Sequence, residues 1–120
     1  MGTVDEYLKG ILGQILTSYK ILTELNDNPN DLEIIKRELS KIRGLLQVIF
    51  NELDKKKYQS DRLVTLHKLS ASYIDTYDFT REIEILAQIY YKDSSRLKNL
   101  RLLIINSLND KKLIEKLQQY

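Results

Sequence analysis

The stretch LEIIKRELSKIRGLLQVIFNEL, residues 32–53, decides the fold. Its apolar residues recur at alternating spacings of three and four, which is the repeat of one face of an α-helix. The residues on this face are Ile35, Leu39, Ile42, Leu46, Ile49 and Leu53. Charged residues, among them Glu33, Glu38 and Glu52, alternate over the remaining surface, which we expect to face water. A helix of this length rises about 33 Å, so the other segments can pack against it.

A second amphipathic helix precedes this one. Residues 4–25 repeat the helical spacing, and Thr3 with Glu6 matches a capping box at its start. The cluster at residues 26–30 contains a proline and favours a turn, and Asn30 is in position to cap the next helix. Because the connection is short, we expect the two helices to form an antiparallel hairpin.

The second half of the chain predicts further, shorter helices. Residues that favour helix starts occur at Ser60 or Asp61, at Thr80, at Ser94 or Ser95, and at Asn109 or Asp110. The expected core residues of the fourth helix are Ile83, Leu86, Ile89 and Tyr90. The fifth helix is apolar on several sides, with Leu97, Leu100, Leu102, Leu103, Ile104, Ile105 and Leu108. We therefore expect the fifth helix deep in the core or against a partner protein.

Composition agrees with a helical fold. Four glycines and one proline in 120 residues leave little room for the turns of a β fold, and 42% hydrophobic with 30% charged residues is ordinary for a globular protein. The sequence therefore predicts a single all-α domain over residues 1–120, a bundle of five to six helices with an N-terminal antiparallel helical hairpin.

Several functional classes are disfavoured by the same composition. The absence of cysteine excludes disulfides and thiolate zinc sites. No apolar run approaches the length of a membrane span, and Asp5 and Glu6 lie where a signal peptide carries basic residues. We expect a cytoplasmic protein that does not enter a membrane. His67 has no second histidine or cysteine with which to share a metal, so we expect no metal, no cofactor and no enzyme activity.

Charge is distributed unevenly along the chain. Residues 1–54 hold six basic and nine acidic side chains, whereas residues 55–120 hold thirteen basic and eight acidic ones. This asymmetry can attract an acidic partner to the second half, although a solvated mixed-charge surface also accounts for it.

Two candidate surfaces follow from these patterns. The candidate nucleic-acid-binding residues, at the start of the fifth helix, are Tyr90, Tyr91, Lys92, Arg96, Lys98 and Arg101. Free amides at a helix start can receive a phosphate and tyrosines can stack on bases, but a tyrosine-capped corner with solvated basic residues has the same sequence. The candidate residues of a protein interface are Gly10, Gly13, Leu97, Leu102 and Ile105. Two glycines three apart can let another helix come close.

Arg62 and His67 reproduce the Arg-x4-His spacing that resembles the signature of HEPN ribonucleases, which are also small helical bundles. This resemblance implies an RNA-cleaving enzyme. On an unbroken helix, two side chains five residues apart diverge by about 140°, which separates them.

A second resemblance covers residues 33–104. The long helix with Glu38, Leu39 and Phe50, its basic exit at residues 55–57 and the turn at residues 78–80 resemble the helical domain of GINS subunits, the archaeal and eukaryotic replication factor. The family implies a non-catalytic scaffold in a DNA-replication complex. We therefore expect a protein-interaction or scaffold module with a protein partner or a homo-oligomer. The alternatives are a small nucleic-acid-binding protein and a HEPN-type ribonuclease.

Overall fold

The structure, a computed structural model, describes the backbone of residues 3–55 and 60–119 and the side chains from residue 6 onward within these ranges. The described ranges contain α1 (Thr3–Glu24), α2 (Asp31–Asp54), α3 (Asp61–Thr76), α4 (Thr80–Gln88), α5 (Ser94–Asn109) and α6 (Leu113–Gln119), with a 3-10 turn at Asp110–Lys112. They contain no strand. The prediction of an all-α bundle of five to six helices is confirmed.

The stripe on α2 forms the centre of the core. All six of its apolar residues are buried, and Ile35, Ile42 and Ile49 are completely inaccessible to water. Helix α1 packs along α2 as the predicted antiparallel hairpin, α3 covers a second side, and α4 and α5 also contact α2. Helix α6 closes the bundle against α1, α3 and α5 through Leu113, Ile114 and Leu117, which are all buried.

The prediction that Glu38 of α2 faces water is wrong. This glutamate was expected in water, but its side chain is only 1% exposed because it lies between α1 and α2. Ser18 Oγ of α1 donates to one carboxylate oxygen at 2.9 Å, and Arg37 Nε donates to the other at 2.8 Å. The Lys41 ammonium lies 3.6 Å away. Burial by itself raises the pKa of Glu38, but these hydrogen bonds and the two cations hold it below the ordinary value of 4.5.

Several predicted helix caps differ in the structure. Asn30 makes no side-chain bond at the start of α2; instead Asp31 Oδ2 accepts from the Asn28 amide at 3.0 Å. Thr80 does not cap α4, since Asp78 Oδ1 accepts from both the amide and the hydroxyl of Thr80. The side chain of Thr3, on which the predicted capping box depends, lies outside the described residues, as do Lys56 and Lys57 of the basic exit.

Tyrosine hydroxyls join α3 to the end of α5. Tyr73 Oη and Ser107 Oγ lie 2.9 Å apart in the interior, and Tyr77 Oη donates to Asp110 Oδ2 at 2.7 Å. The chain then reverses through Lys111 and Lys112, whose φ angles of 52° and 60° are left-handed. These bonds hold the turn that directs α6 back onto the bundle.

Two apolar residues that were expected in the core, Ile89 and Leu103, are exposed, as is the candidate interface residue Leu102. Ile89 is 64% exposed, Leu103 is 55% exposed and Leu102 is 40% exposed. Helix α4 buries only Ile83 and Leu86. The fifth helix buries one face and leaves another open, so it is not deep in the bundle. In the described parts of the chain, no helix combines the length and apolar character that a membrane span requires.

The Glu38 site predicts a pH-dependent stability. Because the pKa of Glu38 is lower in the folded chain, its stabilising contribution is present above pH 4.5 and is lost as the pH falls through the folded-state pKa. We expect Glu38→Gln to lower the free energy of unfolding by about 1–3 kcal/mol at pH 7. In urea titrations the difference between the native protein and the variant should shrink near pH 3. The control is Glu33→Gln, on the exposed side of the same helix. A difference that is constant from pH 7 to pH 3 would contradict this assignment.

Candidate interaction surface

Exposed large hydrophobic side chains occur on α4, in the connection that follows it and on α5. We call these residues the α4–α5 surface: Ile85, Ile89, Tyr91, Leu102 and Leu103. They make up five of the eight large hydrophobic side chains that are exposed in the described parts of the chain. The other three, Tyr7, Val48 and Val64, lie one each on α1, α2 and α3. The apolar exposure is therefore concentrated on one part of the molecule.

A groove of about 230 Å³ runs along this surface between α4 and α5. Its apolar walls are Ile85, Leu86, Tyr90, Leu100 and Leu103, and its polar residues are Glu82, Arg96 and Asn99. The floor is set by the core packing, since Leu86 and Leu100 are 6% and 3% exposed. The walls remain open to water. Such a groove can receive apolar side chains, with opposite charges available at its edges.

The connection between α4 and α5 is a tight corner built around Arg96. The Arg96 guanidinium lies 3.7 Å from the centre of the Tyr90 ring, and its Nε lies 3.4 Å from Asp93 Oδ2. Asp93 Oδ1 also accepts from the Arg96 amide at 3.1 Å, which caps α5. Lys92 lies over the Tyr91 ring at 5.5 Å. The Asp93 carboxylate thus lies where the sequence predicted a bound phosphate at the start of α5. This arrangement agrees with the alternative interpretation, a tyrosine-capped corner with solvated basic residues.

Arg101, one of the candidate nucleic-acid-binding residues, is largely buried in the structure. Its side chain is only 10% exposed, and its Nε and Nη2 donate to the two carboxylate oxygens of Asp27 at 2.7 and 3.1 Å. A third bond runs from Nη1 to the Leu22 carbonyl at 3.2 Å, near the end of α1. The hydrogen bonds that Arg101 donates to the Asp27 carboxylate raise the pKa of Arg101, although burial opposes this. Arg101 therefore ties α5 to the turn of the hairpin, whereas Lys98 is exposed.

The candidate interface residues lie in different environments. Leu97 is 4% exposed and belongs to the core, so its assignment to a surface was wrong. Ile105 is half-buried, and Leu102 belongs to the α4–α5 surface. Gly10 and Gly13 are exposed on α1, and a Cβ built on either would meet no atom within 4 Å. Their surface is open, and none of the described helices packs closely against it.

The Arg-x4-His pair lies on a continuous helix. Both Arg62 and His67 belong to α3, so the two side chains leave the helix about 140° apart. The His67 ring stacks on Phe50 at 4.7 Å, and its Nε2 lies 3.3 Å from Asp54 Oδ1 without forming an aligned hydrogen bond. Arg62 borders a shallow pocket with Lys116. The described residues include no group of three His, Cys, Asp or Glu side chains that could hold a metal ion.

A second groove of about 460 Å³ lies between α2 and α4. Lys36 and Arg43 line its α2 side, and Asp78 and Glu84 line its α4 side. The Arg43 guanidinium donates to the Tyr77 carbonyl and thereby fixes the turn before α4. Charges of both signs on opposite walls give this groove a mixed polar character, in contrast to the apolar groove between α4 and α5.

We found no match to this chain among models of protein families, curated proteins or solved structures.

Removal of the Arg101 side chain tests whether this arginine is structural. Arg101→Ala leaves the carboxylate of Asp27, which is 15% exposed, without its partner, so we expect unfolding to become easier by about 3–5 kcal/mol. Arg101→Lys should recover only part of this stability, because an ammonium cannot reproduce the paired bonds to both carboxylate oxygens. The control is Lys98→Ala, on the exposed side of α5, which should change the urea midpoint little. Equal stability of Arg101→Ala and Lys98→Ala would refute the structural role.

Proposed function

We propose that this chain is a non-catalytic protein-interaction module that docks onto another protein chain through the α4–α5 surface. The observation that carries the proposal is an apolar groove bordered by the exposed side chains of Ile85 and Leu103, with three further exposed large hydrophobic side chains on the same two helices and their connection. Water contact with a contiguous apolar patch is unfavourable, and such patches on folded proteins commonly mark interaction sites. A bound protein partner would remove these apolar side chains from water, which would stabilise the complex.

The edges of the surface support a protein partner. Arg96 and Glu82 place opposite charges beside apolar walls, which is the arrangement of an apolar centre with a polar rim found at protein interfaces. Tyr91 adds an aromatic ring that is 56% exposed, and tyrosine is enriched in such interfaces. A scaffold that recognises protein chains uses these features without any reacting group.

The order of α2 to α5 supports a more specific form of the proposal. It resembles the helical domain of GINS subunits, and a scaffold subunit of a DNA-replication complex would use exposed helix faces to hold its neighbours. This assignment rests on the arrangement of helices and on the apolar α4–α5 surface together.

Direct nucleic-acid binding is the weaker candidate. Tyr91, Lys92 and Lys98 are exposed and suit a phosphate backbone. However, the carboxylate of Asp93 accepts from the Arg96 amide at the start of α5 and repels a phosphate there, while Arg101 is engaged with Asp27. The remaining basic side chains flank an apolar surface that nucleic acid would leave uncovered.

Site-specific photocrosslinking tests the proposed function. A photoreactive phenylalanine analogue is placed at Ile89 or Leu103 on the α4–α5 surface, and at Tyr7 on α1 as a control of similar exposure. After irradiation in cells that produce the protein, we expect protein adducts of defined mass from positions 89 and 103 and none from position 7. Adducts of the same yield from all three positions, or none from positions 89 and 103, would contradict the proposal.

A further inference from the structure

We propose that the partner of the α4–α5 surface is a second copy of this chain, bound in a two-fold symmetric dimer. The inference rests on the proposed function and names the occupant of the same groove. In a two-fold interface every contact occurs twice, so the surface must complement itself in shape and in charge. The α4–α5 surface meets both requirements.

The shape requirement is met by Ile89. It is the most exposed large hydrophobic side chain in the described parts of the chain, and it does not line the groove of its own copy. Its amide bonds to the Ile85 carbonyl at 2.9 Å, so Ile85 and Ile89 lie one helical turn apart on α4. The Ile89 side chain of one copy can therefore enter the apolar groove of the other. By symmetry, Ile89 of the second copy enters the groove of the first.

The charge requirement is met by Glu82 and Arg96, which lie at opposite ends of the groove. Arg96 stacks on Tyr90, and the Tyr90 amide still bonds to the Leu86 carbonyl in a helical pattern. The eight steps along the chain from Glu82 to Tyr90 thus rise about 12 Å along α4 and the turn that follows it. A two-fold axis near the middle of the groove brings Glu82 of each copy to Arg96 of the other.

Arg96 retains the capacity for this second contact. Its bond to Asp93 uses the Nε side at 3.4 Å, and the side chain is still 53% exposed. A guanidinium has five N–H donors, so a carboxylate from another copy can bind the outer nitrogens. A foreign helix would have to supply an apolar side chain and both charges in the same order, whereas a second copy supplies all three from α4 and α5.

The first experiment measures the molecular mass by light scattering over a dilution series. We expect the native protein to change from twice the mass of one chain to a single chain as it is diluted. Ile89→Ser should raise the dissociation constant about tenfold or more, since each dimer loses two apolar contacts. Val64→Ser, which alters a smaller exposed side chain on α3, is the control and should leave the constant unchanged. A native protein that is a single chain at every concentration would overturn the proposal.

The second experiment exchanges the charges between two populations of the chain. Glu82→Arg alone and Arg96→Glu alone each place like charges together twice in a two-fold dimer, so each should be a single chain. A mixture of the two variants places opposite charges at both positions and should form a dimer with one copy of each. Circular dichroism checks that both variants are folded. A folded mixture that shows no dimer would overturn the two-fold arrangement.

Photocrosslinking separates this inference from the proposed function. An adduct of twice the chain mass from position 89 supports the dimer. Adducts with other proteins but none of twice the chain mass would overturn the dimer while the interaction module stands. The absence of both kinds of adduct would contradict both proposals.

Discussion

The fold depends on the dry contact between the apolar stripe of α2 and the helices around it. Four other helices contact α2, so the space against its stripe is limited, and α1 takes the largest share along the hairpin. Helix α4 is short and reaches the core through only Ile83 and Leu86. Two further apolar residues, Ile85 in α4 and Ile89 directly after it, remain 40% and 64% exposed among the described residues. The α4–α5 surface is therefore exposed because the space for packing against α2 is limited.

Two buried polar contacts fix the arrangement that the apolar stripe alone would leave loose. Ser18 meets Glu38 inside the hairpin, and Arg101 meets Asp27 at its turn. Apolar side chains can slide past one another at small cost, but a displaced carboxylate would lose its donors in a place that is largely shielded from water. These contacts specify the register of α1 on α2 and the position of α5. They also explain why basic and acidic side chains within a small protein need not belong to a binding site.

The sequence predicted the parts of the fold that depend on a regular repeat. The buried stripe of α2 and the turn at residues 26–30 follow from spacing and turn chemistry alone. Spacing could not show that Glu38 is buried, because that depends on Ser18 from another helix. For α5, apolar residues lie on several sides, so the pattern could not decide that Leu97 is covered while Leu103 is exposed. The apolar residues on several sides of α5, more than one buried face needs, were nevertheless a signal in the sequence for the candidate surface. The role of Arg101 could not be read from the sequence, since its partner lies 74 residues away.

The central claim is that a second chain covers α4 while the core of the bundle is the same in both states. Hydrogen–deuterium exchange, followed by mass spectrometry at a series of protein concentrations, measures this directly. If the second chain covers α4, amides of residues 85–90 should exchange faster as the protein is diluted, while amides of residues 42–49 on α2 keep the same slow exchange. Exchange at residues 85–90 that does not change with protein concentration, over a range that reaches the millimolar, would show that no second chain covers this surface.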